Sequence, residues 1–378
     1  MMKHLNEEDR LWAEQAYERI REKMYAQCRR IGDKIPYIAE EGVYKEDKAE
    51  TDIVWWTNGF WPGMLWQLYH ADGEDCYRQA AEGVEKKLDR AFDLYTGLHH
   101  DVGFMWLHSA VADWRLTGSE RSKARGLHAA HLLAGRYNPR GKFIRSWNRD
   151  RSGWVIVDSM MNIPLLYWAR DVLKDPRFEY VAMDHADTIM KYTVRPDGSC
   201  NHIIVLDPAT GELLETPGGQ GYASGSSWSR GQSWAIYGFA LSCRHTGKME
   251  YLDTAKRVAH YFISQTDQTG HVALVDFRAP KEPVYWDSTA GVCAACGLLE
   301  IADQVPEAEA DFYRDAAIRI LKATDERFCC WDPQKDSIVQ MGSGSYATSH
   351  DRHVPIVYGD YFFIEAVLRL LDKDFLIW

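Results

Sequence analysis

Gly59-Phe60-Trp61-Pro62-Gly63-Met64-Leu65-Trp66 and Tyr251-Leu252-Asp253-Thr254-Ala255-Lys256-Arg257-Val258-Ala259 represent two kinds of helix in one chain. The first carries no charge and is built from Gly, Trp, Phe, Pro, Met and Leu. The second places charged residues on one face and apolar ones on the other. A helix that is apolar all round belongs inside a protein, and an amphipathic one belongs at its surface. The two kinds alternate. Apolar spacing predicts a first helix from Glu7 to about Cys28, then pairs over 58–71 and 75–93, 101–117 and 120–136, 158–173 and 176–192, 230–245 and 250–265, and 287–303 and 307–325, with a last helix over 359–371. Short joints such as Ala71-Asp72-Gly73 and Thr246-Gly247-Lys248 separate the members of a pair. Six inner helices alternating with six outer ones describe an all-α fold, an (α/α)6 barrel.

The repeat has no fixed period, because extra residues fall before the inner helices. The long loops therefore gather at one end of the barrel, where function usually sits. Short strands are expected in them. His202–Leu214 reads as a β-hairpin around a Pro/Gly turn, and Lys142–Trp147 is expected to pair with Gly153–Val157. No Pro/Gly/Ser-rich linker or charge block divides the 378 residues, so residues 1–378 are expected to form one catalytic domain. A net charge of −11 argues against nucleic acid as a partner. The amino-terminal stretch Met1–Asp9 has no apolar run that would make it a signal peptide, and no later segment suits a bilayer span. With eight scattered cysteines, this points to a reducing, cytoplasmic setting. Nothing in the charge pattern speaks to oligomeric state.

Two aspartates, Asp101 and Asp158, open apolar helices four and six in chain order. Asp is a preferred N-cap residue, and Asp287 and Asp360 open inner helices in the same way, so capping alone is the plain reading. The company of the first two suggests more: His99 and His100 precede Asp101, while Trp147, Trp154 and Asn162 surround Asp158. Paired carboxylates suit acid/base chemistry because two close acids do not easily both ionise, so one keeps a proton. Flat aromatic faces suit sugar rings, and the chain has 15 Trp and 20 Tyr, most of which must serve the core.

Other motifs carry less. The loop Gly218–Ser227 resembles a phosphate cradle, but no P-loop Lys-Ser/Thr follows and the G-x-G-x-x-G spacing fails. Cys293 and Cys296 form a C-x-x-C inside an apolar helix without a properly spaced second pair, so no metal site and no cofactor are expected. Arg230, between Trp228 and Trp234, suits either a substrate carboxylate or a structural acid. His202 is read equally as a hairpin residue or a substrate contact.

Six ordered motifs then carry a resemblance: Trp56–Trp61, His100-Asp101-Val102-Gly103-Phe104, Val157–Asn162, Trp228–Phe239, Asp287–Ala290 and Tyr358–Tyr361. From about residue 40 onward the chain resembles the unsaturated glucuronyl hydrolases of glycoside hydrolase family 88. The resemblance implies an (α/α)6 barrel acting on lyase-generated oligosaccharides whose non-reducing end is a uronate with a C4=C5 double bond. In that family the double bond is hydrated: a proton goes to C4, water adds at C5, and the hemiketal opens and sheds the remaining sugar. Carried over by motif, Asp158 is the principal acid/base and Asp101 its tuning partner. Trp56, Trp147, Trp228 and Trp234 line sugar subsites, and His100, His202, Gln220 and Arg230 contact hydroxyls, water or the carboxylate. Two departures stand out. Gly219 occupies a position where some members carry His, and the loop Ser343–His353 has no Lys where streptococcal members favour sulfated substrates, leaving Arg352 or His353 for a sulfate, or a preference for unsulfated sugars. The alternatives are an unsaturated rhamnogalacturonyl hydrolase of family 105, an (α/α)6 sugar epimerase, and a sugar-binding protein.

Overall fold

The computed structural model describes residues 5–148 and 150–378; residues 1–4, part of the stretch read for a signal peptide, lie outside it. Twelve longer helices are present among the described residues. The outer six are α1 (Glu7–Ile31), α3 (Asp75–Asp93), α5 (Glu120–Ala134), α7 (Arg177–Tyr192), α9 (Met249–Thr266) and α11 (Glu307–Phe328). The inner six are α2 (Phe60–Asp72), α4 (102–117), α6 (Pro164–Leu173), α8 (Ser229–Thr246), α10 (Ser288–Ala302) and α12 (Val357–Leu370). Every residue of α10 and α12 is buried, whereas α9 buries Tyr251, Ala255, Val258, Ala259 and Phe262 on one face. The polarity difference between the two kinds of helix is therefore what sorts them into two rings. Helix α12 packs on both α10 and α2, which closes the inner ring, and α1 packs outside α12.

Two inner helices begin irregularly. Helix α4 carries a π turn at Leu107–Val111, and α6 is preceded by a 3-10 turn at Val157–Met161, with Pro164 at its start. The turn at 157–161 is held by close backbone approach. A Cβ on Gly103 of α4 would lie 2.5 Å from Asn162 Cα, and one on Gly238 of α8 would lie 2.5 Å from Met160 Cβ. Only glycine lets the neighbouring helices come this near.

Three small sheets decorate the loops. The hairpin expected at 202–214 forms from β4 (Ile203–Leu206) and β5 (Leu213–Glu215), joined by β3 (Trp154–Ile156) as a third, antiparallel strand. The pairing expected between 142–147 and 153–157 is corrected: β2 (Phe143–Ile144) pairs with β1 (Tyr137–Asn138) instead. Ser146 explains the change. The two segments share one backbone bond, Ser146 N to Trp154 O at 2.9 Å, but the Ser146 Oγ takes the Ile156 amide at 2.9 Å and the ladder goes no further, while β3 pairs with the longer apolar run of β4. The third sheet pairs β6 (Gly342–Ser343) with β7 (Arg352–Val354).

The segment 373–378 enters the ring. Trp378 is buried, stacked parallel to Phe362 with centroids 6.1 Å apart and set edge-on to His108 at 4.4 Å, while its Nε1 donates to Glu365 at 3.0 Å. Removing so large a side chain leaves a cavity and strips a donor from a buried carboxylate. Trp378→Ala is expected to cost about 3–5 kcal/mol, readable as a lowered midpoint in urea unfolding.

Candidate active site

The inner helices run parallel, so their amino termini meet at one mouth of the barrel. Their partial positive charge favours an anion there. Asp101, Asp158, Arg230 and Asp287 all stand at these ends, at or within the first turn. Asp287 caps α10 through its side chain, accepting from Thr289 N at 3.2 Å. Asp101 makes no such bond, and Asp158 lies inside the 3-10 turn rather than at its cap. The plain capping reading therefore fails for the two acids singled out on sequence and holds for Asp287.

Asp101 sits in a web. Its Oδ1 is 3.1 Å from His100 Nε2 and accepts from Asn162 Nδ2 at 3.0 Å; its Oδ2 is 3.4 Å from His99 Nδ1. The His100 Nδ1–H donates to Ser146 O at 2.8 Å, which fixes the ring. Burial raises the Asp101 carboxyl, but the attraction of His100, then His99 and the Asn162 bond, outweigh it and hold the group below 3.8. Burial lowers His100, yet Asp101 and the Ser146 carbonyl leave it above 6.5. His99 is pushed down to about 4, chiefly by burial. Asp101 and His100 thus form an ion pair. The His100 share of its stabilisation is full below 6.5 and lost as pH rises through the raised value; the Asp101 share is present above 3.8 and lost as pH falls. The gap in melting temperature between the wild type and His100→Gln is therefore expected to be widest near pH 5, between those limits, and to narrow as the pH rises through the raised His100 value.

Asp158 is brought to the same place by the small sheet. Val157 N donates to His202 O at 3.1 Å where β3 meets β4, so Asp158 and His202 stand side by side, with His202 Nε2 3.5 Å from Asp158 Oδ2. The Gln220 backbone N–H donates to His202 Nδ1 at 2.9 Å, which places the ring's proton on Nε2, toward Asp158. Asp158 Oδ2, His202 Nε2, Trp228 Nε1, Arg230 Nε and Trp234 Nε1 are all buried without a hydrogen-bond partner among the described residues. Buried polar atoms left unpaired in one place mark a site for a polar ligand.

Gly219 has φ +59°, and a Cβ there would lie 2.1 Å from His202 Nδ1. A side chain at 219 and His202 in this position exclude each other, which gives the departure at Gly219 a physical reason. The glycine- and serine-rich loop is wound around a residue that sequence reasoning missed: Asp276 accepts from Tyr222 N at 3.0 Å and Ser227 N at 3.1 Å. Its amides are thus already engaged by a carboxylate, in keeping with the rejection of a phosphate cradle.

Arg230 is buried and donates to Asp287 Oδ2 at 2.8 Å and to Gly344 O at 2.7 Å, and its guanidinium lies 4.5 Å over Trp228. The structural-acid reading is therefore realised, and Nε is the nitrogen left for a ligand. Gln220 Nε2 donates to the same Gly344 carbonyl at 2.6 Å. Trp147 lies edge-on to His100 at 6.4 Å, and Trp56 packs on Tyr358 at 5.2 Å; both are half-buried. Trp228 lies 4.4 Å from His202. Trp234, expected to line a subsite, has no exposed surface and packs against Phe104 and Phe362, so its unpaired Nε1 edge is what it has to offer a ligand. Also missed on sequence was His185 of outer helix α7. Its Nδ1 accepts from Ile144 N at 2.9 Å and its Nε2 donates to Ser159 Oγ at 2.6 Å, tying down the turn that bears Asp158.

The protein-family comparison matches Glycosyl Hydrolase Family 88 over residues 28–271. The unsaturated glucuronyl hydrolase of Bacillus sp. (strain GL1) is 34% identical over 351 residues, covering 90% of this chain and 92% of that protein. The chain belongs to glycoside hydrolase family 88. An unsaturated chondroitin disaccharide hydrolase of Streptococcus pyogenes serotype M1 is 30% identical, covering 85% of this chain and 82% of its own. Among solved structures, the unsaturated glucuronyl hydrolase of Bacillus sp. GL1 superposes with a TM-score of 0.88 at 34% identity, over 95% of this chain and 96% of that one. The Streptococcus agalactiae enzyme superposes at 0.89 with 28% identity, over 100% and 95%. As a family 88 member the chain is a glycosidase with the (α/α)6 barrel that the alternating helices describe, and these matches support the unsaturated-uronate reading over the family 105, epimerase and sugar-binding alternatives. No described helix is long and apolar enough to cross a membrane.

Proposed function

We propose that the chain, acting as one catalytic unit, removes the C4=C5 unsaturated uronic acid from the non-reducing end of glycosaminoglycan oligosaccharides by hydrating the double bond. The observation that carries this reading is the division between the two acids: Asp101 is held ionised by His100, while Asp158 keeps a buried oxygen with no hydrogen-bond partner among the described residues. Asp158 gives a proton to C4, and the positive charge that develops at C5 and the ring oxygen faces the fixed negative charge of Asp101. Asp158 then takes a proton from the water that adds at C5. The resulting hemiketal opens and expels the remaining sugar, so the acid ends as it began. Arg230 Nε, the indole N–H groups of Trp228 and Trp234, and the helix amino termini receive the uronate, and His202 Nε2–H orients Asp158 or the water. Trp56 and Trp147 flank the sugar, with Gln220 holding His202 in register. On this reading the enzyme takes lyase-derived substrates, and the cysteine pattern supports a cytoplasmic setting.

The loop at 342–354 bears on which sugars follow the uronate. Arg352 lies 3.7 Å over the Tyr285 ring and donates to Tyr346 O at 2.7 Å, and His353 Nε2 accepts from Trp286 N at 2.9 Å. Each cationic candidate for a sulfate thus already has a partner within the protein, Arg352 keeping its buried Nε unpaired, and Tyr222, Tyr285 and Tyr346 pack together beside them. Unsulfated chondroitin and hyaluronan disaccharides are therefore expected to be hydrolysed with higher kcat/KM than 6-sulfated ones. Loss of the ultraviolet absorbance of the conjugated double bond measures this. A higher value for the sulfated substrate overturns the specificity reading, and no reaction with unsulfated, sulfated or heparin-derived disaccharides overturns the activity itself.

A further inference from the structure

We propose that His99, His100 and Asp101 form a binding site for a divalent ion of the zinc class, and that occupation of this site shuts the enzyme off. His99 Nδ1, His100 Nε2 and an Asp101 carboxylate oxygen lie within 4.8 Å of one another. The two nitrogens approach different oxygens of one carboxylate, at 3.4 Å and 3.1 Å. Ligands of a tetrahedral zinc with bonds of about 2.1 Å stand about 3.4 Å apart, so with one carboxylate oxygen as ligand one of the three separations already fits, and turns of the Asp101 carboxylate and the His99 ring supply the others. Both nitrogens are buried, and neither makes an aligned hydrogen bond to a described residue, although each has a carboxylate oxygen within reach.

Metal-binding histidines commonly donate their other ring nitrogen to a backbone carbonyl, which fixes the ring and aims the lone pair. His100 has this arrangement, with Nδ1 on Ser146 O at 2.8 Å, and a bound ion would take the place of the Nε2 proton that pairs His100 with Asp101. The neighbouring cation does not compete for the ligands: Arg136 is turned away, donating to Arg145 O at 2.8 Å, Ser146 O at 3.1 Å and Asn148 Oδ1 at 2.9 Å. There is also a way in. His99 forms one wall of an open cavity of about 510 Å³ that Tyr95, Leu98, Arg136 and Asn148 also line. An ion entering there would bind three consecutive residues, leaving its fourth position to water. The consequence follows from Asp101. Once it is a metal ligand, its negative charge is neutralised and no longer faces the cation that forms at C5, so the ion slows the chemical step. The shut-off rests on the hydration reading; the ion site itself does not.

The test separates the two. The full-length protein, stripped with a chelator, is titrated with Co2+ and followed by visible absorption, and with Zn2+ by calorimetry, beside His99→Phe and His99→Asn. The expected result is one ion per chain with intense tetrahedral Co2+ bands, and affinity weakened at least about tenfold in both variants, each verified as folded by circular dichroism. Zn2+ should also inhibit the wild type reversibly, with chelator restoring activity. Equal binding by wild type and variants would assign the ion to other groups, such as the half-buried Cys76, Cys329 and Cys330, and overturn the site; so would no binding at all. Binding at the site without inhibition would overturn the shut-off and leave the hydration reading standing.

Discussion

Asp158→Asn is expected to lower kcat by about 10³-fold or more, the range lost when a positioned acid/base group is removed. The amide keeps the shape of the carboxyl but neither gives a proton to C4 nor accepts one from water. Binding should survive, because the groups assigned to the uronate are Arg230, Trp228 and Trp234, and none of them depends on Asp158 for its place. The fold should survive as well. The Asp158 backbone carbonyl accepts from Asn162 Nδ2 at 3.2 Å and is untouched, whereas Oδ2 of the side chain has no hydrogen-bond partner among the described residues. An unchanged melting temperature with a collapsed kcat and a nearly constant KM is the expected pattern. Equal losses of stability and activity would instead mark Asp158 as a structural residue.

Arg230→Met should act the other way, on stability first. The side chains of Arg230 and Asp287 are 1% and 0% exposed, so removing the cation leaves an uncompensated buried carboxylate. Breaking a buried pair from one side costs about 3–5 kcal/mol. The same change removes one of the two donors to Gly344 O, the other being Gln220, together with the bond to Ser343 O, and so loosens the loop at 342–344. Thermal unfolding should show a large drop in midpoint, and substrate affinity should fall because the uronate loses Nε. Replacing Asp287 by Asn in the same chain should recover part of the stability but none of the affinity, since only the uncompensated charge is relieved. A variant as stable as the wild type would contradict the pairing.

The ring of helices was legible in the sequence because its cause is local. Polarity alternates helix by helix, and the glycines and prolines at the joints mark where each ends. The approach of Asp101 and Asp158 was legible only through their neighbours, because capping and catalysis place the same residue type at the same position. What decided between them is not local: Asp287 bonds its own helix amide, whereas Asp101 turns to His100 and Asn162. The strand pairing at 154–156 went astray for a similar reason, since one serine hydroxyl on Ile156 N redirected the ladder. Asp276 and His185 carried no sequence signal. An aspartate outside the loop it organises, and a histidine on an outer helix, become functional only through contacts about 50 residues away in Asp276 and from 26 to 41 residues away in His185. Trp234 shows what a motif leaves open: the residue expected to line a subsite has its ring wholly inside the core, and only its Nε1 edge is left to face a ligand.

The most direct test of the central claim uses an unsaturated glucuronide in which carbon replaces the glycosidic oxygen. Such a compound has no bond that ordinary glycoside hydrolysis can cut, but its C4=C5 double bond is intact. Hydration by way of Asp158 predicts that the wild type abolishes the ultraviolet band of this compound without releasing the second sugar, and that Asp158→Asn leaves the band in place. A band that persists under wild-type enzyme, on a preparation that cleaves the oxygen-linked disaccharide, would contradict hydration and assign the reaction to direct attack at the glycosidic bond.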